Sequence, residues 1–99
     1  MLVHTVFFWL KKDAPKSARK QLVADCRKYL KTPTVSHLWA GPVAGTPVRE
    51  VVDATYDVGL TVVFDSVAAH DAYQVHPEHL KFIKRNKQHW LKVRVYDVQ

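Results

Sequence analysis

Between Tyr73 and Phe82 the chain reads YQVHPEHLKF, which sets Tyr73, His76, Pro77 and His79 within seven positions. Imidazole and phenol groups can trade or donate a proton, and inside a small core they are costly unless bonded or lining a site. Pro77 has no N–H, so the helical bond to the carbonyl of Tyr73 is lost and His76 is pushed away from helical geometry. A helix restarting at Pro77 puts His79 in its first turn, where the positive end of the helix dipole disfavours protonation. The imidazole then stays neutral near pH 7 and is usable as a general base. Tyr73, one helix break earlier, is placed to hold a carbonyl oxygen as enolate charge develops. His4 sits among Leu2, Val6 and Phe8; on a buried strand face it needs a partner, for which His79 and Tyr73 are the candidates.

Each residue also has a plainer reading. His79 can satisfy a backbone carbonyl, His76 can cap the helix that follows, and Tyr73 can be a packed ring with its hydroxyl at the surface. Cys26 reads as a small buried hydrophobe, and Trp39 as packed beside the pocket or at a dimer seam. The three-residue spacing of His76 and His79 can chelate a metal on one helix, but Pro77 interrupts that helix and no third ligand is placed by spacing. Haem has no identifiable axial ligand beyond a histidine. Neither a metal nor a cofactor is therefore expected.

These groups need a scaffold. Residues 2–10 alternate Leu2, His4, Val6, Phe8 and Leu10 against Val3, Thr5, Phe7 and Trp9, a strand apolar on both faces. A helix is expected from Pro15 to Leu30, preceded by Asp13 or Ala14, with Ala18, Leu22, Cys26, Tyr29 and Leu30 as its apolar stripe. A strand over Val35–Ala44 is broken by Gly41 and Pro42, which suits a sheet edge. A third strand runs from Tyr56 to Phe64, with Tyr56, Val58, Leu60, Val62 and Phe64 on one side. Asp65 or Ser66 then caps a helix to about Val75. A further helix from Pro77 to about Lys87 leads to a last strand at 91–98. The order is β-α-β-β-α-β with the last helix broken, an α+β, ferredoxin-like fold: a four-stranded antiparallel sheet with helices on one face. Its uncovered face carries apolar residues, which argues for a homodimer through the sheet.

A chain of 99 residues with 47% hydrophobic and 24% charged residues describes one domain, 1–99. The lone cysteine permits no internal disulfide, so a reducing cytoplasm is the default location. LVHTVFFWL is apolar, but it has no basic residue before it and is followed by Lys11 and Lys12, the reverse of a secretion signal; no membrane partner is expected. The net charge of +6 is concentrated, with eight of fifteen basic residues between Lys11 and Lys31. They fall on the outer side of an amphipathic helix with no nucleic-acid motif beside them, so nucleic acid is not expected as a partner.

HTVFFWLK, HLWAG, YDVGLTVVFDS and above all AYQVHPEHLKF resemble the stress-responsive A/B-barrel (Dabb) domain family over nearly the whole chain. The family has an aromatic-x-x-His-Pro-x-His segment at this point in its element order. The resemblance implies a ferredoxin-like domain that dimerises through its sheets into an α/β barrel. A plant member closes a linear polyketide thioester by aldol condensation without metal or cofactor. Transferred position by position, that activity implies His79 as base, Tyr73 as its partner and His4 in support. The relative's pocket tyrosine on the first helix falls at Cys26, a departure that bears on substrate. The expected lining is Phe8, Cys26, Trp39, Phe64, His76, Phe82 and Ile83. Cofactor-free cyclase or lyase chemistry on a small carbonyl or polyketide-like molecule is one expectation; a non-catalytic ligand-binding or structural dimer is the other.

Overall fold

The computed structural model describes residues 1–99. Strands β1 (Leu2–Leu10), β2 (Val35–Pro42), β3 (Val58–Phe64) and β4 (Trp90–Val98) form one antiparallel sheet in the order β2-β3-β1-β4. Helices α1 (Ala18–Tyr29), α2 (Val67–Gln74) and α3 (Pro77–Asn86) cover one face, and a 3-10 turn at Lys87–His89 leads into β4.

The alternation of β1 decides which face is covered. Leu2, His4, Val6 and Phe8 are buried beneath the helices, while Val3, Thr5 and Phe7 are half-exposed on the other side. Leu22, Cys26 and Leu30 from the first helix and its end meet Val58, Leu60, Val62 and Phe64 from β3, with Tyr73 and Phe82 closing the core. Each fully buried large apolar side chain here contributes roughly 1.5–3 kcal/mol. The basic residues Arg19, Lys20, Arg27 and Lys31 all lie exposed on the outer side.

Three elements depart from the expected bounds. The first helix begins at Ala18, not Pro15, because Pro15 is spent in a turn: the N–H of Ala14 bonds the Lys11 carbonyl at 3.1 Å and that of Ala18 the Pro15 carbonyl at 2.9 Å. β2 ends at Pro42, and it is an edge strand. β3 starts at Val58, so Tyr56 does not share the face of Val58. Asp57 turns the chain, its N–H bonding the Phe8 carbonyl and its carboxylate accepting from the Leu10 N–H, both at 2.8 Å. Tyr56 consequently packs on the open face against Phe7 and Trp9, with ring centroids 4.8 and 6.4 Å away.

A buried polar knot ties α1 to α3. Asp25 accepts from Arg85 Nε at 2.8 Å and from Asn86 Nδ2 at 2.9 Å, and Asn86 Nδ2 also reaches the Phe82 carbonyl at 2.9 Å. These bonds hold α3 in register above the sheet. No helix is long and apolar enough to cross a membrane.

Candidate functional site

The break between α2 and α3 follows from local chemistry. Ser66 caps α2 by accepting from the Ala69 N–H at 3.1 Å. His76 is extended, with φ −65° and ψ 139°, and caps α3 by accepting from the Glu78 N–H at 3.1 Å. Pro77 is the first helical residue, so His79 stands in the first turn and points back under α2. Its ring meets that of Tyr73 edge-on, centroids 4.6 Å apart.

His79 is only 8% exposed, and its Nδ1 is buried with no hydrogen-bond partner. Burial, followed by the nearby His4 and His70, pushes its pKa down to about 4. The imidazole is therefore neutral at physiological pH, and desolvation is the main reason. Tyr73 is fully enclosed, and burial raises its phenol above the ordinary value, keeping it a hydrogen-bond donor. His4 is buried and pairs through Nδ1 with Asp97 Oδ1 at 2.5 Å, its register partner on β4. Burial lowers the His4 pKa against the raising effect of Asp97.

The rings of His4, Tyr73 and His79 converge on a cavity of about 140 Å³. Its walls include Phe8 from β1, Phe82 and Ile83 from α3, Trp90, Val93 and Val95 from β4, and the Gln74 amide. Val93 and Val95 are partly exposed, so the mouth lies along β4. Trp90 carries a second buried, unpartnered polar atom, its Nε1.

The structure thus brings together His79, Tyr73, His4, Phe8, Phe82 and Ile83, and it separates four other expected lining residues from them. Cys26 is wholly buried in the core behind the cavity, its thiol pushed up to about 12 by burial and the neighbouring Asp25 charge. Phe64 is also outside the lining; it backs His4 and Tyr73, its ring 6.3 and 5.0 Å from theirs. His76 is taken up by its capping bond. Trp39 is on the opposite face of the sheet, in register with Thr61, and 60% exposed. His70 and Asp97 also stand at this site, although neither was among the residues expected there. The first was legible, since its three-residue spacing from Tyr73 puts both on one face of α2; the second needed the β1–β4 register.

A ferredoxin-like α+β domain with a titratable cavity between its helices and sheet is the class that this arrangement defines. The chain belongs to the Stress Responsive A/B Barrel Domain family, whose profile matches residues 2–99. Among solved structures, it is similar to a Dabb family protein with a ferredoxin-like fold from Mesorhizobium loti, at 26% identity and TM-score 0.77, covering 99% of this chain and 94% of that one. A dimeric ferredoxin-like protein of unknown function from Thermobifida fusca matches at 16% identity and TM-score 0.82, covering 98% of this chain and 88% of the other. The hydroxynitrile lyase from Passiflora edulis matches at 22% identity and TM-score 0.80, covering 98% and 90% respectively. No curated protein sequence matches the chain.

Proposed function

We propose that the domain binds a small carbonyl compound in the cavity and moves a proton on it, as a cyclase or lyase does, with no cofactor in the step. His79 takes the proton, Tyr73 donates a hydrogen bond to the oxygen as negative charge develops, and His4, oriented by Asp97, supports them. The observation that carries this reading is a neutral, buried and unpartnered imidazole against a protonated tyrosine at the wall of a cavity. A buried polar atom without a partner costs free energy, so a group kept in that state serves something besides folding. The fold likeness to a hydroxynitrile lyase is compatible with this class of chemistry.

Cavity size narrows the substrate. A volume of about 140 Å³ is close to the ~150 Å³ that accommodates benzene in an engineered apolar cavity. The reacting part of the molecule is thus the size of one aromatic ring, and any longer chain must leave through the mouth at β4. A turnover screen with small aldehydes, ketones, cyanohydrins and short β-ketoacyl thioesters tests the reading. Turnover lost in His79→Leu, with ligand binding retained, supports it.

A second reading, binding without turnover in a homodimer, is favoured by the open face. Trp39 and Tyr96 are 60% and 59% exposed there, beside Phe7 and Val98. A second copy packed on that face would bury them, and a similar fold is described as dimeric. Saturable binding in the same screen with no turnover by the wild type would select this reading.

A further inference from the structure

We propose that His4, His70 and Asp97 form a binding site for a divalent first-row metal ion, with Zn2+ as the simplest occupant. One nitrogen from each histidine and one oxygen of Asp97 all lie within 4.8 Å of one another. The two imidazole rings stand 5.0 Å apart by their centroids, inclined at 58°. Donors sharing a tetrahedral zinc at 2.0–2.1 Å are separated by roughly 3.3 Å. Loading therefore draws His70 inward and opens the 2.5 Å contact between His4 and Asp97, changes that side-chain rotation supplies. The ion takes the place of the proton held between His4 and Asp97, which is released to solvent.

The placement is built by three elements. His4 and Asp97 are ladder partners in β1 and β4, and α2 lowers His70 onto them from above. An independent feature points the same way. His70 Nδ1 lies 3.1 Å from Asp71 Oδ1, while its Nε2 accepts from the Gln74 amide at 3.2 Å. A carboxylate on Nδ1–H fixes the tautomer in which Nε2 is the acceptor, so an ion would take over the lone pair that the Gln74 amide now occupies. Two imidazoles and one carboxylate are a ligand set for zinc with an open fourth position, or for ferrous iron. Asp97 is 43% exposed, which gives an ion a path in from the sheet edge. The site shares His4 with the catalytic reading but does not rest on it: a loaded ion would occupy His4 and leave His79 and Tyr73 in their roles.

The test is a chelator-competition titration of the purified chain with Zn2+, repeated with Co2+ to read coordination from its visible spectrum. Variants His70→Leu, Asp97→Asn and Asp71→Ala are compared with His37→Gln, an exposed histidine on the edge strand. The expected result is one saturable ion per chain. Affinity should fall more than ~10-fold in His70→Leu and Asp97→Asn, since loss of even an outer hydrogen-bonding partner of a ligand costs about that much. Asp71→Ala should weaken binding by less, and His37→Gln not at all. Absence of saturable binding to the wild type, or equal affinity in folded His70→Leu and Asp97→Asn, overturns the proposal. Should His70→Leu fail to fold, Asp97→Asn, altered at an exposed edge position, decides alone.

Discussion

Replacing His79 with leucine separates its folding cost from its chemistry. The folded chain holds this imidazole at a pKa of about 4, against 6.5 for the free side chain. Above pH 6.5 both folded and unfolded states are neutral, and the group adds no pH dependence. Between 6.5 and 4 the unfolded chain takes up a proton that the fold refuses, so stability falls with decreasing pH, by about 1.4 kcal/mol per unit. The depression thus predicts a loss of about 3 kcal/mol across that window, as an upper figure. In His79→Leu this part of the acid sensitivity should vanish, leaving the smaller contribution from His4 and that of the carboxylates. At pH 7.5 the variant should be as stable as the wild type or more so, because the unpartnered Nδ1 no longer has to be buried. Urea midpoints and slopes of both proteins at half-unit steps from pH 7.5 to about 4 supply the measurement. A variant destabilised by about 1–3 kcal/mol at pH 7.5 would show that the imidazole makes a structural hydrogen bond, and parallel acid slopes would show that burial does not depress its pKa. Under either result His79 is not a buried neutral base held for chemistry.

Other outcomes follow from the same geometry. Tyr73→Phe should keep ligand affinity and lower any turnover by about 100-fold or more, the usual consequence of losing one oxyanion donor, as read from kcat against KM. Cys26 should react with a disulfide reagent only at the rate of global unfolding, since the thiol is fully buried with its pKa near 12; fast labelling in native buffer would contradict that burial. Asn86→Ala should cost about 1–3 kcal/mol in urea unfolding, because Asp25 loses a buried donor. If a second copy covers the open face, Tyr96→Lys should shift the chain towards monomer in sedimentation equilibrium without unfolding it; an unchanged mass would place the dimer contact elsewhere.

What the sequence reveals is governed by how local each determinant is. The faces of β1, the cap at Ser66 and the restart at Pro77 are set by neighbouring residues, and all three are as the spacing predicts. The neutrality of His79 was also legible, although its stronger cause, burial, becomes visible only when the sheet is assembled beneath it. The start of α1 was not legible, because Pro15 suits a helix's first turn and a preceding tight turn equally well. Periodicity misplaced Tyr56 because the alternation of β3 does not extend through the Asp57 corner. Cys26 and Phe64 do face the core as their patterns require; the cavity simply lies nearer β4, a position fixed by strand order. Asp97 is 93 positions from His4, and only the register of β4 against β1 brings them together. Asp25 is the one acidic residue of α1, and its partners Arg85 and Asn86 lie 60 and 61 positions away, so only the assembled fold brings them together.

Strand β4 connects the two surfaces that matter. Val93 and Val95 face the cavity and Asp97 meets His4, while Arg94, Tyr96 and Val98 face the open side in strict alternation. A partner on the open face would therefore bury Tyr96 and leave the cavity mouth clear. β4 is nonetheless an edge strand, hydrogen-bonded to β1 alone, with Val93 and Val95 exposed on its cavity side. An edge held by one neighbour opens at lower free energy than the sheet centre, and its opening would withdraw Asp97 from His4 and Val93 and Val95 from the cavity wall together. Covering its open side with a second copy would suppress that opening. Amide exchange along β4 should then slow with protein concentration in the wild type and stay fast in Tyr96→Lys, with cavity affinity following the same order. Concentration-independent exchange would mean that β1 alone fixes β4, and the cavity would be complete in a single chain.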